Sequence, residues 1–177
     1  MQRGRREKGK AQLAGSMSSS SKGFSASKTT SPWFLPLVVL LVICIDQASK
    51  AIVTYSMGDY QSIPVIPNIF HLTLIHNTGI AFGLFHGGSK FLLGTILAGV
   101  VVLFYLAYKM RNESMIFRLS LGFILGGALG NLMDRLTQSA VVDFLDFRIW
   151  PVFNLADSFI TVGVFILIIA ILKGHKA

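Results

Sequence analysis

The sequence predicts an α-helical membrane protein, with four transmembrane helices, both termini cytoplasmic and a small extracytoplasmic sheet between helices 1 and 2. Three observations predict it. The 177-residue chain is 53% hydrophobic and 14% charged, with a mean hydropathy of +0.64, a balance that points away from a soluble domain. Four apolar segments, at about residues 33–53, 91–108, 116–136 and 155–172, each approach the ~20 residues needed to cross a bilayer as a helix. The basic residues gather in the segments that would share one side of the membrane, and Lys and Arg in short flanks mark the cytoplasmic side.

The net charge of +8 and pI near 9.9 do not imply a nucleic-acid partner. Seven of the sixteen Lys and Arg (Arg3, Arg5, Arg6, Lys8, Lys10, Lys22, Lys28) precede the first apolar segment, which makes the excess a topology signal first. Residues 1–32 are otherwise rich in Ser and Gly, with little to bury, and are expected to be a disordered extension in which Met17 offers an alternative start. The apolar run after them continues through Ala51 and Ile52 without a small-residue cleavage pattern, so a retained anchor is expected rather than a removed signal peptide. Residues 33–177 then form one membrane domain. The single cysteine, Cys44, leaves no intramolecular disulfide and is expected to pack inside. His71, His76, His86 and His175 form no HExxH-type pair, and neither a metal nor a cofactor is expected.

In the first span, Asp46 and Lys50 stand four residues apart and share a helical face. Two readings stay open there, an ion pair that makes the helix end tolerable or a functional pair. In the more polar residues 54–90, Phe70, Leu72 and Leu74 alternate with His71 and Thr73, the two-residue period of a half-buried strand. A Gly-containing turn leads to a second short apolar run, Ile80 to Phe85, and these two runs are the expected sheet. Asn77 with Gly79 reads first as the turn between them. The second span closes on Lys109, Arg111 and Arg118, and the fourth on Lys173 and Lys176. Gly122, Gly126, Gly127 and Gly130 give the third helix a small face that lets a neighbour approach closely. With the N-terminus inside, the inner segments hold twelve bases and the outer ones only Lys90 and Arg148, while Lys50 and Arg135 fall in the spans.

That topology places Asp46, Asp134 and Asp157 toward the outer leaflet, with Asp143 in the outer connection between helices 3 and 4. Ionisable groups near hydrocarbon depth are costly and mark functional sites. Asn131 with Asp134 and Asn154 with Asp157 repeat a three-residue spacing on one helical face. An Asn amide there can satisfy a carboxylate or a substrate carbonyl, and a helix-capping Asn154 is the alternative. Two adjacent carboxylates do not both ionise easily, so one keeps its proton near neutral pH. The ionised member then takes a proton from water while the neutral one polarises a peptide carbonyl, which hydrolyses the bond without a covalent intermediate. Ser49 points away from the adjacent Lys50, and Ser158 has no histidine near it in sequence, so no better nucleophile competes. On these grounds alone Asp134 ranks as the partner of Asp157.

Five segments in order, DQASK (Asp46 to Lys50), NTGIAF (Asn77 to Phe82), GGALGNLMDR (Gly126 to Arg135), VVDF (Val141 to Phe144) and FNLAD (Phe153 to Asp157), resemble the bacterial lipoprotein signal peptidases. This family, also called signal peptidase II, comprises aspartyl peptidases of the inner membrane, and the resemblance covers nearly everything after Trp33. It implies a β cradle between helices 1 and 2, and cleavage of diacylglyceryl-modified prolipoproteins just before the lipidated cysteine. It implies Asp143 and Asp157 as the catalytic pair, in place of Asp134. Asp46, Lys50, Asn77, Gly79, Asn131, Asp134, Arg135, Asn154 and Ala156 would bind substrate or support the site. It further implies a bacterial cytoplasmic (inner) membrane location with the active site toward the periplasm. A monomer is expected, in contact with membrane lipid from which the lipidated substrate enters sideways. Asp146, in the short link from Asp143 to Phe153, is a less favoured contributor, and the extension before Trp33 lies outside the family pattern.

Two other classes compete. A small proton-coupled transporter would also use membrane carboxylates, but with a site near the midplane reachable from both sides. A non-catalytic assembly protein would keep its cellular phenotype after Asp143→Ala or Asp157→Ala.

Overall fold

The computed structural model describes residues 31–79 and 88–174. Its helices are α1 (Phe34–Ser56), α2 (Gly88–Lys109), α3 (Met115–Gln138) and α4 (Leu155–Gly174), and its strands are β1 (Ser62–Ile66), β2 (Phe70–Asn77) and β3 (Val141–Asp146). Helices α1, α3 and α4 are long and apolar enough to cross a membrane, whereas α2 carries a shorter apolar stretch, Leu93–Lys109. Leu40, Leu41, Val101, Phe104, Phe165 and Ile168 are exposed on these helices, an apolar surface of the kind that a bilayer covers. The protein is therefore a membrane protein.

Glycines on α3 set how closely its neighbours approach. A Cβ at Gly122 would lie 2.6 Å from Val38, one at Gly126 2.7 Å from Val42, and one at Gly130 2.6 Å from a carboxylate oxygen of Asp46. Any larger side chain would push α1 away and carry Asp46 with it. Around the helix, a Cβ at Gly127 would lie 2.5 Å from the carbonyl oxygen of Ala156, so the first turn of α4 seats there. Helix α3 thus packs against α1, α2 and α4 together. On α1 the buried stripe runs through Val38, Val42, Asp46, Lys50 and Val53. Cys44 falls off that helical stripe and is exposed, contrary to the expectation that it packs inside.

Helix α3 starts at Ser114, whose side chain accepts the Phe117 N–H, and ends at Ser139 in a left-handed conformation (φ 59°) that turns the chain into β3. This strand corrects the expected sheet. The antiparallel order is β1-β2-β3, so the third strand comes from the connection between α3 and α4, not from the segment between the first two helices. The Ile80 to Phe85 run, expected to form the sheet with the Phe70 to Leu74 strand, lies outside the described residues. Val142 and Phe144 point from β3 into a core with Val53, Met57 and Leu74, and strand alternation leaves Asp143 on the other face.

The link after β3 is closed by backbone bonds. Phe144 and Leu145 donate to the Phe153 carbonyl at 3.0 and 2.8 Å, and Phe153 donates to Leu145 at 3.1 Å, which sets Asn154 against the strand. Asp146 braces this link. It accepts bonds from the Arg148 N–H (2.8 Å), the Arg148 guanidinium (3.0 Å) and the Thr73 hydroxyl (2.8 Å), where Arg148 has a left-handed φ of 64°. Burial acts on Asp146 most strongly and upward, yet the donors from Arg148 and Thr73 together hold its carboxyl below the usual range. Its two oxygens are occupied by the link rather than turned toward Asp143.

Candidate active site

Lys50 is the junction from which the site is built. Only 3% exposed, it places its ammonium 2.7 Å from Asp46, 2.8 Å from Asp134 and 3.0 Å from the Asn131 side-chain oxygen, one acceptor for each of its three N–H donors. The other oxygen of Asp46 accepts the Ala156 N–H at 2.9 Å, in the first turn of α4 where a negative charge is favoured. Asp134 also accepts the Val142 N–H at 3.3 Å, fastening β3 to α3 one residue before Asp143. Gln47, to which the sequence reading gave no role, completes this network. Its amide donates to Asp134 at 2.8 Å and reaches Asp46 and the Gly130 carbonyl at 3.3 Å. The signal was its place in DQASK, three residues before Lys50 and so on the same helical face.

Asp143 and Asp157 meet across Asn154, which is fully buried. The Asn154 amide donates to Asp143 at 2.7 Å and to Asn131 at 3.0 Å. Its side-chain oxygen accepts the Asp157 N–H at 3.0 Å, and its own N–H donates to the Asp157 carboxylate at 3.3 Å. This reciprocal exchange is a capping box, so Asn154 caps α4 and touches both aspartates at once. Asn131 donates to the other oxygen of Asp157 at 2.8 Å. The two Asn–Asp repeats therefore differ in use: Asn131 serves Asp157 and Lys50, not the Asp134 three residues after it.

Asn77 likewise does two things. Its oxygen accepts the Gly79 N–H at 2.8 Å, forming the expected turn at a glycine whose φ of 71° suits no larger residue well. Its amide donates to Asp143 at 2.9 Å. In the β2–β3 ladder Asp143 lies opposite Ile75 and Val141 opposite Asn77, so this is a diagonal cross-strand contact. Arg135 sits one helical turn beyond Asn131, donating to its carbonyl at 3.4 Å. The Arg135 Nε is buried without a hydrogen-bond partner, and no carboxylate pairs with this guanidinium among the described residues.

Asp46, Asp134, Asp143 and Asp157 thus lie at one end of the bundle, where the Lys50 ammonium contacts Asp46 and Asp134 and the Asn154 amide and backbone contact Asp143 and Asp157. Asp143 is 3% exposed and Asp157 half-buried. Burial pushes the Asp143 carboxyl up to about 6, and the charge of Asp157 adds to this, while the Asn77 and Asn154 amides and Lys50 draw it down. Among the described residues no three His, Cys, Asp or Glu side chains are grouped to hold a metal ion. A cavity of about 360 Å³ opens beside Lys50, Gln47 and Asp134; neither Asp143 nor Asp157 lines it, so it belongs to the supporting network.

The sequence model of the family described as signal peptidase (SPase) II matches residues 38–173. The chain belongs to the signal peptidase II family. It is 47% identical over 142 residues to the lipoprotein signal peptidase of Halothermothrix orenii, covering 79% of this chain and 96% of that one. With the lipoprotein signal peptidase of Pelotomaculum thermopropionicum the identity is 49% over 143 residues, covering 79% and 92%. A solved bacterial membrane enzyme superposes with a TM-score of 0.76 at 32% identity, covering 83% of this chain and 97% of that one. As a signal peptidase II the protein is a membrane peptidase, a hydrolase of the peptide bond.

Within such a peptidase the Asn77 contact makes a signed prediction. Its amide favours the charged form of Asp143, so Asn77→Ala raises the Asp143 titration above about 6. If Asp143 must carry a proton for turnover, the rate at subsaturating substrate should fall about tenfold, and the alkaline limb of the pH profile, above which activity is lost, should move upward. Unchanged turnover together with an unmoved limb would remove Asn77 from the site.

Proposed function

We propose that this chain removes signal peptides from diacylglyceryl-modified prolipoproteins, cleaving just before the lipidated cysteine, with Asp143 and Asp157 acting on one water. The observation that carries the reading is that both carboxylates lie against the buried Asn154. Asp143, buried and raised to about 6, is the member that holds the proton, and the half-buried Asp157 takes the role of base. Asp157 removes a proton from water as the water oxygen bonds to the scissile carbonyl carbon, and Asp143 gives its proton to the carbonyl oxygen. The tetrahedral adduct collapses as the C–N bond breaks. The leaving nitrogen takes the proton from Asp157, and the adduct hydroxyl returns one to Asp143. Both groups are then restored for the next turnover.

The supporting residues have distinct parts. Asn131 and the Asn154 backbone fix the Asp157 carboxylate, Asn77 and the Asn154 amide fix Asp143, and Lys50 ties α1 to α3 behind them. Arg135, without a carboxylate partner among the described residues, is assigned to substrate oxygens, either peptide carbonyl or lipid ester. In this reading the chain has four spans with both termini in the cytoplasm and the carboxylates toward the periplasm, for which the distribution of bases is the support. The acyl chains remain in the outer leaflet while the scissile bond enters sideways as the substrate of a monomer. Clustering of the acids at one end of the bundle weighs against a transporter, whose site would lie near the midplane.

The test uses purified protein in lipid or detergent with two substrates, a diacylglyceryl-modified prolipoprotein and its unlipidated form. Cleavage of the lipidated form alone is expected. Equal processing of both would contradict the reading.

A further inference from the structure

At the end of the bundle remote from Asp143, a crevice of about 460 Å³ opens between the start of α1 and the end of α2. Leu35, Phe104 and Tyr108 wall it, and Arg111, Asn112 and Arg118 bring polar groups to it. Its volume lies within the ~300–1,000 Å³ of small-molecule sites. Helix α2 packs mainly on α3, so this gap beside α1 is left to another occupant.

The charges indicate which occupant. The Arg111 guanidinium lies 4.7 Å over the Tyr108 ring and donates to the Tyr108 carbonyl at 3.3 Å, which orients this exposed side chain at the rim of the crevice. Arg118, only 5% exposed, donates to the Ser31 carbonyl at 2.9 Å and lies 5.7 Å from the Phe34 ring. No Asp or Glu lines the crevice among the described residues. Lys109 and Lys173 add positive charge at the same end, and seven more bases precede Ser31 in the chain. A planar guanidinium matches two phosphate oxygens at once, and basic pockets between membrane helices recognise anionic headgroups.

We infer that this crevice binds one anionic phospholipid. Its phosphate rests on Arg111 with Arg118 deeper in the crevice, and its first methylenes lie against Leu35, Phe104 and Tyr108, so the lipid bridges α1 to α2. The inference does not depend on the peptidase reading, because binding is measured without prolipoprotein.

The test is native mass spectrometry of the full chain, released from detergent containing phosphatidylglycerol or phosphatidylcholine. The wild type should retain one phosphatidylglycerol and no phosphatidylcholine. Arg111→Gln should weaken retention about tenfold, and Phe104→Ala, which leaves every charge in place, should weaken it as well. Lys109→Gln, an equal loss of charge at a residue that does not line the crevice, should retain the lipid. Equal loss in Lys109→Gln would show diffuse attraction and overturn the site, as would full retention in both Arg111→Gln and Phe104→Ala. Soluble glycerol phosphate binding as tightly as the lipid would also overturn it, by making this a free-phosphate site.

Discussion

Asp143→Asn and Asp157→Asn are each expected to lower kcat about 10⁴-fold, because in the proposed hydrolysis each group serves once as acid and once as base in a turnover. The double variant should be little worse than either single one, since residues that act as a unit lose their effect together. The fold is expected to survive either change. In Asp143→Asn an amide N–H₂ replaces one acceptor facing the Asn77 or Asn154 amide, which leaves buried donors unpaired at a cost of about 1–3 kcal/mol, less than the ~5–15 kcal/mol typical of a folded domain. Single-turnover cleavage alongside a melting curve separates the two effects. A variant that melts like the wild type yet keeps a tenth of its rate would exclude that aspartate from the chemistry.

Lys50→Met should have the largest effect on stability. Its ammonium holds Asp46 and Asp134 at 2.7 and 2.8 Å, all three side chains being at most 4% exposed. Removing it strands two buried carboxylates, and breaking a buried pair in this way costs about 3–5 kcal/mol. The loss should be largely recovered when Asp46→Asn and Asp134→Asn are added, because the stranded charges are then gone. Denaturant titration in mixed micelles measures it. A single Lys50→Met variant within about 0.5 kcal/mol of wild type would mean that these contacts contribute little.

How far the sequence could be read depended on whether partners were local. The Asp46–Lys50 pair follows from helical spacing alone, as does the Asn154–Asp157 box. The small face on α3 was visible as glycines, although nothing local said that Gly130 would meet Asp46 and Gly127 the Ala156 carbonyl. Strand β3 was missed because six residues between two helices read as a connection. The alternation of Val142 and Phe144 with Asp143 was present, but the pairing that makes it a strand lies on β2, some seventy residues earlier. Residue spacing alone favoured Asp134 over Asp143 for the same reason. Asp134 shares a helical face with Asn131, whereas the neighbours of Asp143, Asn77 and Asn154, arrive from a different strand and from beyond the link. Gln47 is hard to single out from sequence, because an amide beside an acid and a lysine carries no charge signal of its own. Cys44 was placed inside because the whole of α1 is apolar, so composition does not mark which stripe is buried.

The central claim is that Asp143 and Asp157 share one proton during catalysis, and the pH dependence of kcat/KM for a lipidated prolipoprotein tests it most directly. Asp143 is raised to about 6, so it is protonated below that pH and loses the required proton above it. An alkaline limb with an apparent pKa near 6, belonging to the pair, is expected, beyond which kcat/KM falls about tenfold per pH unit. A profile that stays level from pH 5 to about pH 8 would contradict it.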